Sequence, residues 1–276
     1  MTPTQRPIRF PCGNAELIGI LHETGGEPDT GVVIVVGGPQ YRIGSHRQFQ
    51  LLARSLAEAN IAVLRFDCRG MGDSEGEFPG FENIGPDIAA AIEAFRHHVP
   101  SLTRFVLWGL CDASPPIAEL ARRDERVAGI VLLNPWVRSE EGRARTVLKH
   151  YYWRRAINPE FLRRLWSGAF DWRRSARGIV ENLRTVFAGA GSEMSPVERI
   201  GENVQQFRGR VLLIISGRDL TAKEFDDAAS ASPRWRKILA QERVTRRVLA
   251  DANHTFARRV WRDQVAAWTR DWLATL

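Results

Sequence analysis

The chain has 276 residues, 44% of them hydrophobic, and a formal net charge of +7. That is enough apolar material for one large α/β domain or two small ones, and it excludes a disordered or collagen-like chain. Three cysteines (Cys12, Cys68 and Cys111) are a poor fit to a disulfide framework. The segment Met1–Ile8 has no apolar signal core and no run nears membrane-spanning length, so a soluble, cytoplasmic protein is expected.

In chain order, Leu17–His22 and Val32–Val36 read as strands, the second a β-branched run suited to burial on both faces. Ser45–Ala59 has helical apolar spacing at Phe49, Leu52, Leu56 and Ala59. Ile61–Phe66 is a strand and Pro86–His97 a helix, its proline in the first turn where a missing N–H costs little. Arg104–Trp108 is a strand, Ala113–Arg123 a helix, and Val127–Leu133, Arg210–Ser216 and Val244–Leu249 are strands. Arg258–Leu276 closes the chain as an amphipathic helix. Alternating strands and helices predict a mostly parallel central sheet flanked by helices on both faces, in one α/β domain over residues 1–276.

Residues 137–206 interrupt the alternation. Aromatic residues (Trp153, Phe161, Trp166, Phe170, Trp172) alternate with arginine pairs there, and a helical cap inserted between two strands is expected. Between residues 138 and 184, twelve Lys or Arg face five Asp or Glu, an excess of seven that equals the whole net charge. A basic chain can signal nucleic acid, but charge confined to one insertion points away from it. An amphipathic lid, or a surface for an anionic substrate, fits better.

The most informative stretch is Val106–Ser114. An apolar strand breaks at Gly109, Cys111 follows, and a helix starts after Ala113. A residue at such a corner projects from the carboxyl edge of a sheet, beside the free N–H groups and positive dipole end of a helix. Those surroundings favour the reactive thiolate. The pattern is G-x-S-x-G with Cys111 for Ser and Ala113 for the last Gly. A cysteine nucleophile needs a base, and the base an orienting group. His254 follows the last strand, and Asp219 follows Arg210–Ser216. The chain order nucleophile, acid, histidine is that of α/β hydrolases. Asp226, Asp227 and Asp251 compete with Asp219 for the acid role.

An acyl-transfer site also needs donors for a developing oxyanion. One is the N–H of Asp112, after the nucleophile. The other falls in Gly37-Gly38-Pro39-Gln40-Tyr41, where Pro39 has no N–H to give; Gly38 is the choice, with Gln40 as the alternative. Tyr41, His46 and Arg47 are candidate substrate contacts, although residues so placed also commonly solvate a loop or cap the next helix. Ser74, in Gly72-Asp73-Ser74-Glu75-Gly76, lacks a helix directly behind it and is expected to be structural.

Over its whole length the chain resembles the α/β-hydrolase superfamily, with Asp67-Cys68-Arg69-Gly70-Met71-Gly72-Asp73-Ser74 similar to its D-x-R-G-x-G-x-S turn. More narrowly, Val36–Arg42 with Gly44–Arg47, and Gly109–Ser114, resemble the exosortase A system-associated hydrolases, bacterial proteins of exopolysaccharide and protein-sorting loci. The resemblance implies a triad at Cys111, Asp219 and His254, and no particular substrate. The sequence departs from the broad superfamily at Cys111 for Ser, Ala113 for Gly, and Val36 where many members carry His.

The expected activity is cleavage of an ester or thioester through an acyl-Cys111 intermediate. An acyltransferase on the same residues is the alternative, and a non-catalytic binder of anionic polymer or membrane surfaces a third. The expected partner is a small-molecule or acylated substrate, with an anionic one among the candidates. No cofactor or metal is expected: there is no G-x-G-x-x-G after a strand, no phosphate-cradling loop and no metal-ligand spacing.

Overall fold

Eight strands form one sheet: β1 (Thr4–Cys12), β2 (Ala15–Glu23), β3 (Thr30–Val35), β4 (Ala62–Phe66), β5 (Arg104–Leu110), β6 (Val127–Leu133), β7 (Arg210–Ser216) and β8 (Val244–Leu249). Their spatial order is β1-β2-β4-β3-β5-β6-β7-β8. The computed structural model describes residues 4–38, 40–135 and 194–276. Strand β2 runs antiparallel to both of its neighbours, and every pairing from β4 to β8 is parallel. The central strands are buried along nearly their whole length, as their unbroken apolar runs require. Strand β8 lies at the edge and is more exposed, with Arg246 and Arg247 on it. Charged side chains of this kind discourage another chain from pairing there.

Seven α-helices are described: α1 (Gln48–Glu58), α2 (Gly85–His98), α3 (Ser114–Ala121), α4 (Pro196–Gln206), α5 (Leu220–Ala231), α6 (Pro233–Leu239) and α7 (Arg259–Leu273). One apolar layer joins a face of the sheet to α2, α3, α4, α5 and α6 through Phe95, Ile117, Ile200, Phe225 and Trp235. The other joins the opposite face to α1 and α7, where Phe49 meets Trp108 edge-on at 5.8 Å and Trp272 closes the layer. No helix among the described residues is long and apolar enough to cross a membrane.

The architecture is the expected one, with local differences. Helix α1 begins at Gln48 rather than Ser45, because His46 and Arg47 both take positive φ (53° and 60°) and break the helical path. Strand β5 runs on to Leu110, which places Cys111 directly at its end. Strand β1 and helices α5 and α6 add to the expected elements. Of the stretch expected to form a cap, residues 137–193 lie outside the described residues. Helix α4, at its far end, buries Val197, Ile200 and Val204 in the core and accepts the Trp235 Nε1–H on Val197 O at 2.9 Å.

Candidate active site

Cys111 stands at the carboxyl end of β5 with φ 60°, a strained backbone for a residue bearing a Cβ. The strand reverses into α3 there without a linker, so the half-buried side chain projects from the corner. Small neighbours permit the turn. A Cβ at Gly109 would lie 2.6 Å from Ala113 Cβ, so alanine at 113 fits only while 109 is glycine. Pro115 and Pro116 stiffen the first turn of α3, where prolines remove no helical hydrogen bond.

The loop after β3 packs on this corner. A Cβ at Gly37 would lie 2.7 Å from Ala113 N and 3.2 Å from Asp112 N, so only glycine admits the approach. Gly38 follows with φ 72°, beside the Asp112 carboxylate. Gln40 serves as the loop's brace: its N–H donates to Gly38 O at 2.7 Å, its Nε2 to Gly37 O at 2.8 Å, and its Oε1 accepts from Ser45 N at 2.8 Å and Ser45 Oγ at 3.0 Å. The N–H of Gln40 is therefore engaged, whereas that of Gly38 donates to no described residue.

Asp219 and His254 meet at the same edge. His254 Nδ1 bonds Asp219 Oδ2 at 2.7 Å, so the carboxylate engages that ring nitrogen and leaves Nε2 on the opposite side of the ring. Asp219 is also the N-cap of α5 and accepts Thr221 N–H at 3.3 Å and Ala222 N–H at 3.0 Å. The cap bonds fix the carboxylate that holds the imidazole. Asp251 instead pairs with Arg218 at 2.6 Å and Asp226 with Arg246 at 2.7 Å, both on the surface.

The sequence profile of the alpha/beta hydrolase family matches residues 32–268. The chain belongs to the α/β-hydrolase family. Its structure resembles an esterase of Pyrococcus furiosus with a TM-score of 0.67 at 17% identity, over 99% of this chain and 91% of that one. It resembles a dienelactone hydrolase of Anabaena variabilis with a TM-score of 0.63 at 14% identity, over 100% and 99% of the two chains. An acylaminoacyl peptidase of Pyrococcus horikoshii matches with a TM-score of 0.63 at 17% identity over 99% of this chain and 41% of its own. Likeness at such identities is one of fold. No curated protein matches the sequence.

One residue of this α/β hydrolase escaped the sequence analysis. Asn134, fully buried at the end of β6 with φ 42°, accepts Ser216 N–H on Oδ1 at 2.8 Å and donates Nδ2–H to His254 O at 2.9 Å. It ties the end of β7 to the histidine loop. The signal was a polar residue closing the apolar run Val127–Leu133 just before Pro135.

The loop after β3 is tethered from below. Arg42 donates its backbone N–H to Asp67 Oδ1 at 2.6 Å, and its guanidinium binds Asp67 and Asp73. Asp73 N–H also donates to Asp67, at 3.1 Å. Ser74 Oγ bonds Asp67 O at 2.8 Å and receives Ile18 N–H at 2.9 Å, so it is a structural hydroxyl as expected. His46 and Arg47 are exposed, and neither side chain bonds a described residue. Tyr41 is exposed, with the Arg42 guanidinium 5.6 Å over its ring. Burial pushes the Cys12 and Cys68 thiols up from their ordinary value, unlike the environment of an activated thiol. Among the described residues no cluster of His, Cys, Asp or Glu is placed to hold a metal.

Proposed function

We propose that the protein is a cysteine-dependent hydrolase of ester or thioester bonds, with Cys111 as nucleophile, His254 as base and Asp219 as its orienting acid. The observation that carries this is the 2.7 Å Asp219–His254 bond at the sheet edge where Cys111 stands at the end of β5 with φ 60°. His254 Nε2 takes the Cys111 Sγ proton, and the thiolate attacks the acyl carbon. The carbonyl electron pair moves to oxygen, facing the N–H groups of Asp112 and Gly38. Collapse breaks the bond to the alcohol or thiol, which leaves with the proton from His254. Water, deprotonated by His254, then attacks the acyl-thioester. The carboxylic acid departs and Sγ regains its proton.

The motifs at Val36–Arg47 and Gly109–Ser114 support a place among the exosortase A system-associated hydrolases, and so a bacterial exopolysaccharide or sorting setting. Intact-protein mass spectrometry after incubation with short and medium acyl thioesters tests the chemistry. An acyl adduct that maps to Cys111 and is lost in His254→Ala is expected. An unmodified Cys111 with every thioester, together with full hydrolytic activity in Cys111→Ala, overturns the proposal.

A further inference from the structure

Between the flanks of α1 (Gln48 to Ser55) and α7 (Arg262 to Arg270) lies a cavity of about 230 Å³ that no step of the proposed chemistry uses. Its apolar wall includes Leu52, Trp108 and Val265. Two of its lining residues carry buried donors with no hydrogen-bond partner: Gln48 Nε2 and Arg262 Nε. Gln48 is only 8% exposed. Arg262 spends one guanidinium nitrogen, Nη1, on His46 O at 3.2 Å and leaves Nε over. An unpaired buried donor costs about 1–3 kcal/mol, more when charged, and such groups are rare unless something meets them.

The electrostatics select the sign of the ligand. Among the described residues, Arg262 and Arg270 line the cavity against one acid, Asp263; Asp263 is ion-paired to Arg259 at 3.3 Å and Arg270 to Asp271 at 3.2 Å, which leaves Arg262 as the cation without a carboxylate partner among them. Two orphan donors match the two oxygens of a carboxylate. A phosphate would bring more charge and acceptors than these donors satisfy. A void of roughly 150 Å³ lodges a benzene, so this one has room for a chain of about six to eight carbons.

We propose that this cavity binds a small aliphatic carboxylate, its head on Gln48 and Arg262 and its chain against Leu52, Trp108 and Val265. The site is separate from Cys111 and does not depend on the chemistry proposed there.

The test is a titration of the full chain with octanoate to about 10 mM, followed by NMR of the Arg262 Nε–H and Gln48 side-chain amide signals. Saturable, single-site shifts of both are expected. Gln48→Leu and Arg262→Met should each weaken binding about tenfold or more, the worth of a hydrogen bond to a charged group. Gln48→Glu, which repels the head group in a side chain of the same size, should weaken it at least as much, and His254→Ala should leave it unchanged. No saturable shift would mean that water alone meets the two donors and would overturn the site. Binding undiminished in these three cavity variants would place the carboxylate elsewhere, and equal affinity for octanol would remove the anion recognition.

Discussion

Asn134 Nδ2 donates to the main-chain carbonyl of His254 at 2.9 Å, across 120 residues of chain. The side chain of His254 is thereby held twice, by Asp219 at the ring and by Asn134 at the backbone beneath it. Aspartate at 134 keeps an acceptor for Ser216 N–H but sets a second oxygen against His254 O. Asn134→Asp should lose about 1–3 kcal/mol of stability, the cost of an unsatisfied buried group. Its kcat should fall by more than its KM rises, because the base moves while the substrate surfaces stay. Urea denaturation and steady-state kinetics check the two effects. A variant as active and stable as the parent would show that the bond does not position the base.

The three cysteines should separate cleanly by reactivity. Cys12 and Cys68 are 6% and 0% exposed, and burial raises both thiols. Cys111 is half-buried at a strand-to-helix corner. Brief iodoacetamide treatment at neutral pH should therefore add one carbamidomethyl group, at Cys111, with the other two labelled only after unfolding. Peptide mapping reads the result. Labelling of Cys111 no faster than an unstructured thiol would mean that the corner does not activate it.

Gly72 takes φ 54°, and a Cβ there would run into the Asp67 carboxylate. That carboxylate binds Arg42, and Arg42 lies within the loop that packs on the Cys111 corner. Breaking a buried pair by removing one partner costs about 3 kcal/mol or more. Asp67→Ala and Gly72→Ala should both lower the denaturation midpoint and reduce turnover by releasing the loop. Arg42→Lys, which keeps a charge but not the fork, should fall between them and the parent. Full turnover in Asp67→Ala would detach this tether from function.

Acid should weaken the fold through His22. The ring is 1% exposed and accepts Arg65 Nε–H at 2.9 Å. Burial first, and then the Arg65 charge, lowers its pKa from 6.5 to about 4. The unfolded chain takes up a proton near pH 6.5 that the folded chain refuses until about pH 4, so stability falls as pH drops through that window. A full shift of this size is worth about 3 kcal/mol. Denaturation midpoints between pH 7 and about 5, above the range where most carboxylates titrate, isolate the effect. His22→Gln, which keeps an acceptor for Arg65, should flatten the slope, and an unchanged slope would assign it to other groups.

The strands Val127–Leu133, Arg210–Ser216 and Val244–Leu249 agree residue for residue with the structure; the first two are apolar and β-branched runs that mark buried parallel strands directly, and the third is an exposed edge strand set by its β-branched Val244, Thr245 and Val248. Strand β1 was passed over: its buried residues, Ile8, Phe10 and Cys12, alternate with polar ones, and a half-exposed edge carries a weaker signal. Helices α5 and α6 start at Asp219 and Ser232, both side-chain N-caps. Asp219 drew notice only for its chemistry, although the cap is what fixes its carboxylate. Asn134 was passed over for another reason: its place at the end of an apolar run was visible, its role was not. Its partners are 82 and 120 residues away, and no local pattern announces a tertiary bond.

The corner itself invites a double-mutant cycle. A Cβ at Gly109 would meet Ala113 Cβ at 2.6 Å and, closer still, the tip of the fully buried Ile117 side chain. Gly109→Ala alone overpacks a rigid turn and should cost about 1–3 kcal/mol along with most activity. Ala113→Gly alone restores the commoner motif residue and should cost about 1 kcal/mol at most, through backbone entropy at the head of α3. Because Ala113 Cβ is one of the two groups that a Cβ at 109 would meet, the double variant should be more stable than the sum of the single effects implies, with a coupling of about 0.5 kcal/mol or more. Denaturation midpoints and Cys111 alkylation rates on the four proteins measure it. Simple additivity would show that the corner relaxes elsewhere and that alanine at 113 does not depend on glycine at 109.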